Sequence, residues 1–155
     1  MRLLHYATIG AMGVAVGLQL PQIPVADKLT ASTLKNMAAG LGYSVKDLNT
    51  TVGKEKFEIT VKTKTLDIPV GLEISGSGNY VWLTAFLNEN KATIKHEDLL
   101  KENFNIQPSF FYVTNRDNLF AAQAIDNRNI SPAVFKRCVE KLVTDIENTA
   151  KVWSD

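Results

Sequence analysis

The chain of 155 residues contains very little cysteine and histidine. Its single cysteine, Cys138, excludes an internal disulfide. Cys138 lies on the apolar stripe of a predicted helix, where a free thiol behaves as a small hydrophobic side chain. Of the two histidines, His5 and His96, the second lacks the partner histidine of a zinc-binding helix. With no paired cysteines either, we expect no metal site and no cofactor.

Motifs that carry catalysis are missing as well. The sequence has no nucleophile elbow, Walker loop, dinucleotide fingerprint or calcium-binding loop. Acidic pairs such as Glu97/Asp98 and Asp145/Glu147 are adjacent or two apart, a helical spacing that does not direct both carboxylates to one substrate. The Gly-Ser-Gly run within Ser75–Asn79 joins two predicted strands and lacks the Lys-Ser/Thr of a phosphate loop. We therefore expect no catalytic residues and no enzymatic activity.

Neither sign of charge dominates the composition. The chain has 17 basic and 16 acidic residues, which gives a net charge of +1. The lysines between residues 54 and 64 lie on or beside a predicted strand and are partly offset by Glu55 and Glu58. This pattern indicates a solvated strand face rather than the basic stripe of a nucleic-acid-binding protein. We therefore expect no nucleic-acid partner.

The N-terminus carries a short apolar segment. Arg2 precedes an uncharged apolar run, Ala7–Leu18, which is followed by the polar, proline-containing segment Gln19–Ala26. This order is typical of a secretory signal peptide, and the run is shorter than the about 20 residues of a membrane-spanning helix. We predict that residues 1–26 are a signal peptide and that residues 27–155 form one domain. The alternative is an uncleaved apolar leader that packs on the domain.

The signal peptide decides the expected location of the protein. If residues 1–26 are a signal peptide, the protein is exported to the periplasm or secreted; otherwise it is cytoplasmic. In either case, we expect no stable membrane span.

Hydrophobic periodicity predicts a helix and three strands in the first part of the domain. Apolar residues recur at three- and four-residue spacing over Thr30–Leu41, which predicts a helix. Tyr43–Thr51 is short and mixed, and could add an extended piece. Pro69 cannot donate a ladder hydrogen bond, so its strand is predicted to be an edge or to carry a bulge. Alternation of apolar and polar residues places the three strands at Lys56–Thr63, Leu66–Ser75 and Tyr80–Leu87.

The second part of the domain reads helix, strand, strand, helix. A short helix is predicted over Ile94–Phe104, with Leu99, Leu100 and Phe104 on its buried face. Two strands follow, joined by a polar turn, and then comes a long amphipathic helix in which Ser131 is the N-cap and Pro132 the first helical residue. The two strands are Ser109–Thr114 and Leu119–Asp126, and the last helix ends near Trp153. The complete order is α-β-β-β-α-β-β-α.

The last three predicted strands are apolar on both faces, one of which carries most of the aromatic side chains. Helices packed on one face would leave the other needing a partner, and an uncovered aromatic patch indicates an interface. Alternatively, both faces are covered internally, by the segment next to the leader or by the middle helix. Alternation does not decide which face is outside. We predict that the exposed set, and hence the partner-binding surface, is Trp82, Phe86, Tyr112 and Phe120.

From about residue 30 to residue 155, the chain resembles the YbjN-type domain, which shares its fold with class I type III secretion chaperones. The residues that carry the resemblance come in a fixed order, namely Leu99–Asn103, Phe110–Tyr112, Asp117–Phe120, Ile130-Ser131 and the final helix that ends at Trp153. The resemblance implies an α+β fold in which helices flank a five-stranded antiparallel sheet. It also implies a homodimer that binds protein segments and performs no catalysis. Those chaperones are cytoplasmic and usually acidic, so the near-neutral charge and the leader point to an extracytoplasmic relative.

These observations lead to one expected function and one alternative. We expect a non-enzymatic, chaperone- or adaptor-like module that is exported, dimeric and bound to a protein partner through its open sheet face. The alternative is a carrier of a small molecule or lipid, in which the two-sided apolar strands line an internal pocket.

Overall fold

A computed structural model describes residues 27–89, 91 and 93–154 of the chain. The predicted leader, residues 1–26, lies outside the described residues. Helices and strands follow each other as α1 Ala31–Gly40, β1 Val45–Asn49, β2 Lys56–Lys62, β3 Asp67–Ile74, β4 Tyr80–Glu89, α2 His96–Asn105, β5 Phe110–Val113, β6 Asn118–Asp126, α3 Pro132–Asn148 and α4 Ala150–Trp153. Within this described part, no helix is both long and apolar enough to cross a membrane.

The strands form one antiparallel sheet in the order β1-β2-β3-β4-β6-β5. The α+β class and the antiparallel sheet are therefore confirmed, but the predicted number of five strands is wrong, because the sheet has six. The additional strand is β1, which pairs with β2 through Val45 opposite Ile59 and Asp47 opposite Phe57. Side chains of β1 are mostly exposed, so the strand lacks the alternation of apolar residues that indicates a half-buried strand.

The strand that contains Pro69 is not an edge strand. β3 lies between β2 and β4, and Pro69 faces Thr60 of β2 without a register shift. The pairing of β3 with β4 covers only Gly71 to Ile74. Pro69 thus lies in a stretch of β3 that has β2 on one side and no ladder with β4 on the other, which accommodates a residue without an N–H donor.

The hydrophobic core lies between one face of the sheet and the helices α1 and α3. Alternate residues of β4 are completely buried on this face, as are Leu34 of α1 and Phe135 of α3. The start of α3 follows its sequence signals, because the Ser131 hydroxyl accepts a hydrogen bond from the Val134 N–H at 3.2 Å and Pro132 is the first helical residue. The predicted single helix to Trp153 is divided at Thr149 into α3 and α4.

The predicted buried face of α2 is wrong for two of its three residues. Leu99 is buried, but Leu100 is 69% and Phe104 80% exposed. Leu100 and Phe104 are four residues apart and share one side of the helix, whereas Leu99 lies about 100° away around the axis. α2 contacts the edge strand β5 and therefore buries only the side that carries Leu99.

Candidate functional site

The structure brings the four predicted surface residues together on the face of the sheet opposite the core. Their rings form a connected series with a fifth aromatic residue, Phe110. Trp82 meets Phe110 edge to face at 6.3 Å between ring centroids, and Phe110 is 6.0 Å from Tyr112. Tyr112 stacks on Phe120 at 5.6 Å, and Phe120 meets Phe86 edge to face at 5.6 Å. We call these five residues the aromatic face.

Strand register explains why these rings meet. Phe86, Phe120 and Tyr112 lie directly opposite one another on the adjacent strands β4, β6 and β5. Trp82 and Phe110 are separated by the width of β6, whose residues at this level are Ala122 and Ala124. Because these alanines are small, the two larger rings reach towards each other above β6. Their edge-to-face geometry is the arrangement that the aromatic quadrupole favours.

The aromatic face is accessible in the described part of the chain. Phe86 is 48% exposed, and the other four rings are half-buried. Opposite side chains on the same strands, such as Val81 and Leu83, are completely buried under the helices. The alternative prediction was coverage by the segment next to the leader or by the middle helix. The middle helix, α2, contacts β5 and leaves Phe86 exposed, whereas the leader lies outside the described range. The role of Trp82, Phe86, Tyr112 and Phe120 in partner binding stays a prediction.

A depression of about 420 Å³ lies within the aromatic face. Trp82, Phe110 and Tyr112 form its walls, and the small residues Thr84 and Ala122 face each other in its floor. Its sixth lining residue is Glu73 of β3, which lies directly opposite Trp82 and brings the one charged side chain of the lining. We call this depression the aromatic cup.

Glu73 lines the aromatic cup and also forms an ion pair with a lysine. Lys56 Nζ of β2 lies 2.5 Å from Glu73 Oε2, in an ion pair that is partly exposed on both sides. Both charges affect the pKa of Tyr112. Burial raises the pKa of the Tyr112 hydroxyl, the negative charge of Glu73 raises this pKa further, and Lys56 lowers it. The field of the Glu73 carboxylate therefore extends into the cup.

The remaining half of the open sheet face is charged rather than aromatic. Besides the Glu73 pair, Lys46 Nζ lies 3.3 Å from Glu58 Oε1 and Lys62 Nζ lies 3.8 Å from Asp67 Oδ2. Such exposed pairs each contribute at most about 1 kcal/mol to stability. The open face is thus divided into a solvated half on β1 to β3 and an aromatic half on β4, β6 and β5.

Four residues of the site were not among the predicted set, namely Glu73, Thr84, Phe110 and Ala122. Phe110 lies two residues before Tyr112 on one strand, so the alternation already placed both on the same face. Glu73 could not be identified from local sequence, because its position beside Trp82 depends on the pairing of β3 with β4.

Other chemistry is sparse in the residues that the structure describes. Within them, no three His, Cys, Asp or Glu side chains are grouped as metal ligands would be. Cys138 is half-buried against the core, and His96 is exposed at the start of α2. A depression of about 580 Å³ between the end of β2 and α3 is open to the surface and is partly lined by charged residues, among them Lys62, Lys136 and Glu140. It differs from the enclosed apolar pocket that a carrier of a lipid would need.

Comparisons with known proteins identify the fold. No protein-family model and no curated protein matches the chain. A chain in the structure of the HopA1–SchA chaperone–effector complex is similar with a TM-score of 0.56 and 14% sequence identity, over 76% of this chain and 89% of that chain. A chain in the crystal structure of the Yersinia pestis type III secretion chaperone SycH in complex with a stable fragment of YscM2 is similar with a TM-score of 0.50 and 14% identity. That second match covers 81% of this chain and 100% of the other.

At this identity, the likeness shows the fold alone. The predicted chaperone-like fold is confirmed, whereas the YbjN-type domain stays a prediction.

Proposed function

We propose that this chain is a non-enzymatic, chaperone- or adaptor-like module, of the YbjN type, that holds a segment of a protein partner on its aromatic face. The connected series of five aromatic rings on an open sheet face is the observation that carries this proposal. Aromatic residues are enriched at the centres of protein interfaces, where a few of them supply most of the binding energy. The similarity in fold to chaperones that were solved with bound proteins supports the same function.

The proposal includes export and self-association. Export depends on cleavage of residues 1–26, which N-terminal sequencing of the mature protein from its own cells would detect. A homodimer is supported by the apolar pair Leu100 and Phe104, which is exposed on α2. Sedimentation velocity of the wild-type protein and of the Leu100→Ser/Phe104→Ser variant would measure this association.

Site-specific photo-crosslinking in the native cells tests the partner-binding surface. A photoreactive phenylalanine analogue replaces Phe86 in the full chain, so that any natural processing is retained. Phe104 is the comparison position, because it is also an exposed phenylalanine but lies on α2, where the proposed self-association would crosslink it to a second copy of the chain rather than to the partner. We expect a discrete crosslinked partner from position 86, little or none of it from position 104, and loss of this crosslink when Trp82→Ala is added.

Three results would contradict the proposal. These are no crosslink from position 86, an equal crosslink from both positions, and a crosslink that Trp82→Ala leaves unchanged. Circular dichroism of each variant establishes that the fold is retained before the comparison is made.

A further inference from the structure

We propose that the aromatic cup binds a basic side chain, arginine or lysine, of the protein partner. This inference deepens the proposed function and rests on it. The cup combines two kinds of group that attract a cation, namely the aromatic rings of Trp82, Phe110 and Tyr112 and the carboxylate of Glu73. Aromatic cages of this kind hold cations through the negative faces of their rings.

The composition of the lining favours a cation over a purely apolar guest. All three walls of the cup are aromatic, and no leucine, isoleucine, valine or methionine is among the residues that line it. A small floor of Thr84 and Ala122 leaves room between the rings for an unbranched stem. Arginine and lysine have such stems, which pack along apolar surface while the charged end reaches a polar group.

Glu73 determines the sign of the charge that a ligand of the cup must carry. The lining of the cup contains this one charged residue, and it is negative, so an anionic guest would be repelled. Glu73 already attracts an ammonium group, since Lys56 Nζ lies 2.5 Å from Oε2. A carboxylate has two oxygens and can accept several hydrogen bonds, so Glu73 can bind a second cation besides Lys56.

Lys56 therefore acts as an internal competitor. Its side chain is about half exposed, and such an ion pair is weak and easily displaced. Replacing Lys56 should increase the affinity of the cup for a basic side chain, whereas replacing Glu73 should decrease it. Opposite effects of two neighbouring substitutions would not arise from a general loss of packing.

Nuclear magnetic resonance of the ¹⁵N-labelled full-length protein tests the inference with peptides of defined chemistry. The probe is acetyl-Gly-Arg-Gly-amide, compared with the same peptide carrying neutral citrulline or apolar norleucine. The indole N–H of Trp82 reports binding. The indole N–H of Trp153 is an internal control, because it donates to the Ile146 carbonyl at 3.0 Å and is buried.

We expect the arginine peptide to shift the Trp82 resonance in a saturable way and to leave Trp153 unchanged. Citrulline and norleucine peptides should bind more weakly by roughly fivefold or more, since they lack the charge. Glu73→Gln should weaken binding of the arginine peptide by about three- to tenfold, and Lys56→Ala should strengthen it by about two- to threefold.

Two results would overturn the cation site. Equal or tighter binding of the norleucine peptide would make the cup an apolar pocket, and the proposed function would stand. No shift of Trp82 with any peptide, while the partner still crosslinks at position 86, would remove the cup as a binding site and keep the aromatic face. Loss of the crosslink as well would contradict the proposed function itself.

Discussion

The side-chain amide of Asn103 occupies the edge of the sheet beside Phe111. Asn103 Oδ1 accepts a hydrogen bond from the Phe111 N–H at 2.6 Å, and Asn103 Nδ2 donates to the Phe111 carbonyl at 3.3 Å. One side chain from α2 thus satisfies both main-chain groups that an adjacent strand would otherwise bind. Unpaired strand edges recruit other strands, so this pair protects the free edge of β5.

Replacing Asn103 is expected to destabilise the protein and expose this edge. Asn103→Ala leaves the N–H and carbonyl of Phe111 without these partners, which should lower the free energy of unfolding by about 1–3 kcal/mol. It should also promote self-association. Urea denaturation measures the first effect and light scattering the second. Asn105→Ala is the matched control, because Asn105 is exposed and its amide donates a hydrogen bond to the nearby Glu102 side chain. Equal effects of both substitutions would contradict the role of Asn103.

The segment before α1 is held by the side chain of Asn127, which is completely buried. Asn127 Oδ1 accepts from the Leu29 N–H at 3.0 Å, and Nδ2 donates to the carbonyls of Leu29 at 3.0 Å and Gly78 at 3.1 Å. Asn127→Ala should lower the free energy of unfolding by about 2–4 kcal/mol, because three main-chain groups lose their partner. It should also accelerate amide hydrogen exchange at Leu29.

Asn79→Ala provides the comparison for Asn127. Its side chain is exposed at the adjoining turn and accepts a hydrogen bond from Lys28 Nζ. We expect a change in the free energy of unfolding within about 0.5 kcal/mol for this control. A similar small change for Asn127→Ala would show that solvent replaces the lost hydrogen bonds.

Glu147 should make part of the stability depend on pH. Hydrogen bonds from the side chains of Thr63 and Thr65 hold the pKa of the Glu147 carboxyl below its ordinary value. The Thr65 hydroxyl lies 2.8 Å from Glu147 Oε1. Because the folded-state pKa is lowered, the contribution is complete above the ordinary glutamate pKa and is lost as the pH falls through the folded-state value.

The expected result is a stability difference between wild type and Glu147→Gln that shrinks on acidification. Urea denaturation at neutral pH and at successive pH values below the ordinary glutamate pKa measures it. Glu97→Gln on α2 reports the general effect of removing one exposed negative charge. A difference that stays constant over this pH range would show that the link between α3 and the β2–β3 turn does not depend on ionisation.

Gly71 is required by its close approach to Thr84 on the neighbouring strand. A Cβ atom at position 71 would lie 2.8 Å from Thr84 Oγ1 and 3.4 Å from the Thr84 carbonyl oxygen. Gly71→Ala should therefore lower the free energy of unfolding by about 1–2 kcal/mol. Adding Thr84→Ala removes the hydroxyl, so the loss caused by Gly71→Ala should become smaller in that background. A double-mutant cycle by urea denaturation measures this coupling, and strict additivity would contradict the steric explanation.

Several elements could be predicted because their signals are local. The Ser131-Pro132 start of α3 depends on residues within one helical turn, and the alternation in β4 assigns Val81 and Trp82 to opposite faces whatever the strand pairs with. The prediction for α2 failed because apolar spacing identifies a side of a helix but not whether another element covers it. Leu100 and Phe104 have the spacing of a buried pair and are exposed.

By itself, the sequence determined which side chains share a face within each strand, where the long helix begins and how the main elements follow one another. Only the tertiary structure decided that β1 adds a sixth strand, that β6 lies between β4 and β5, and that Glu73 lies beside Trp82. The physical reason is the distance along the chain over which each kind of interaction acts. Dihedral preferences, capping and periodicity act within a few residues, whereas strand pairing and helix packing join residues that are far apart in the chain. The aromatic cup joins residues of the four strands β3, β4, β5 and β6, which are far apart in the chain, and this is why it emerges only in the folded protein.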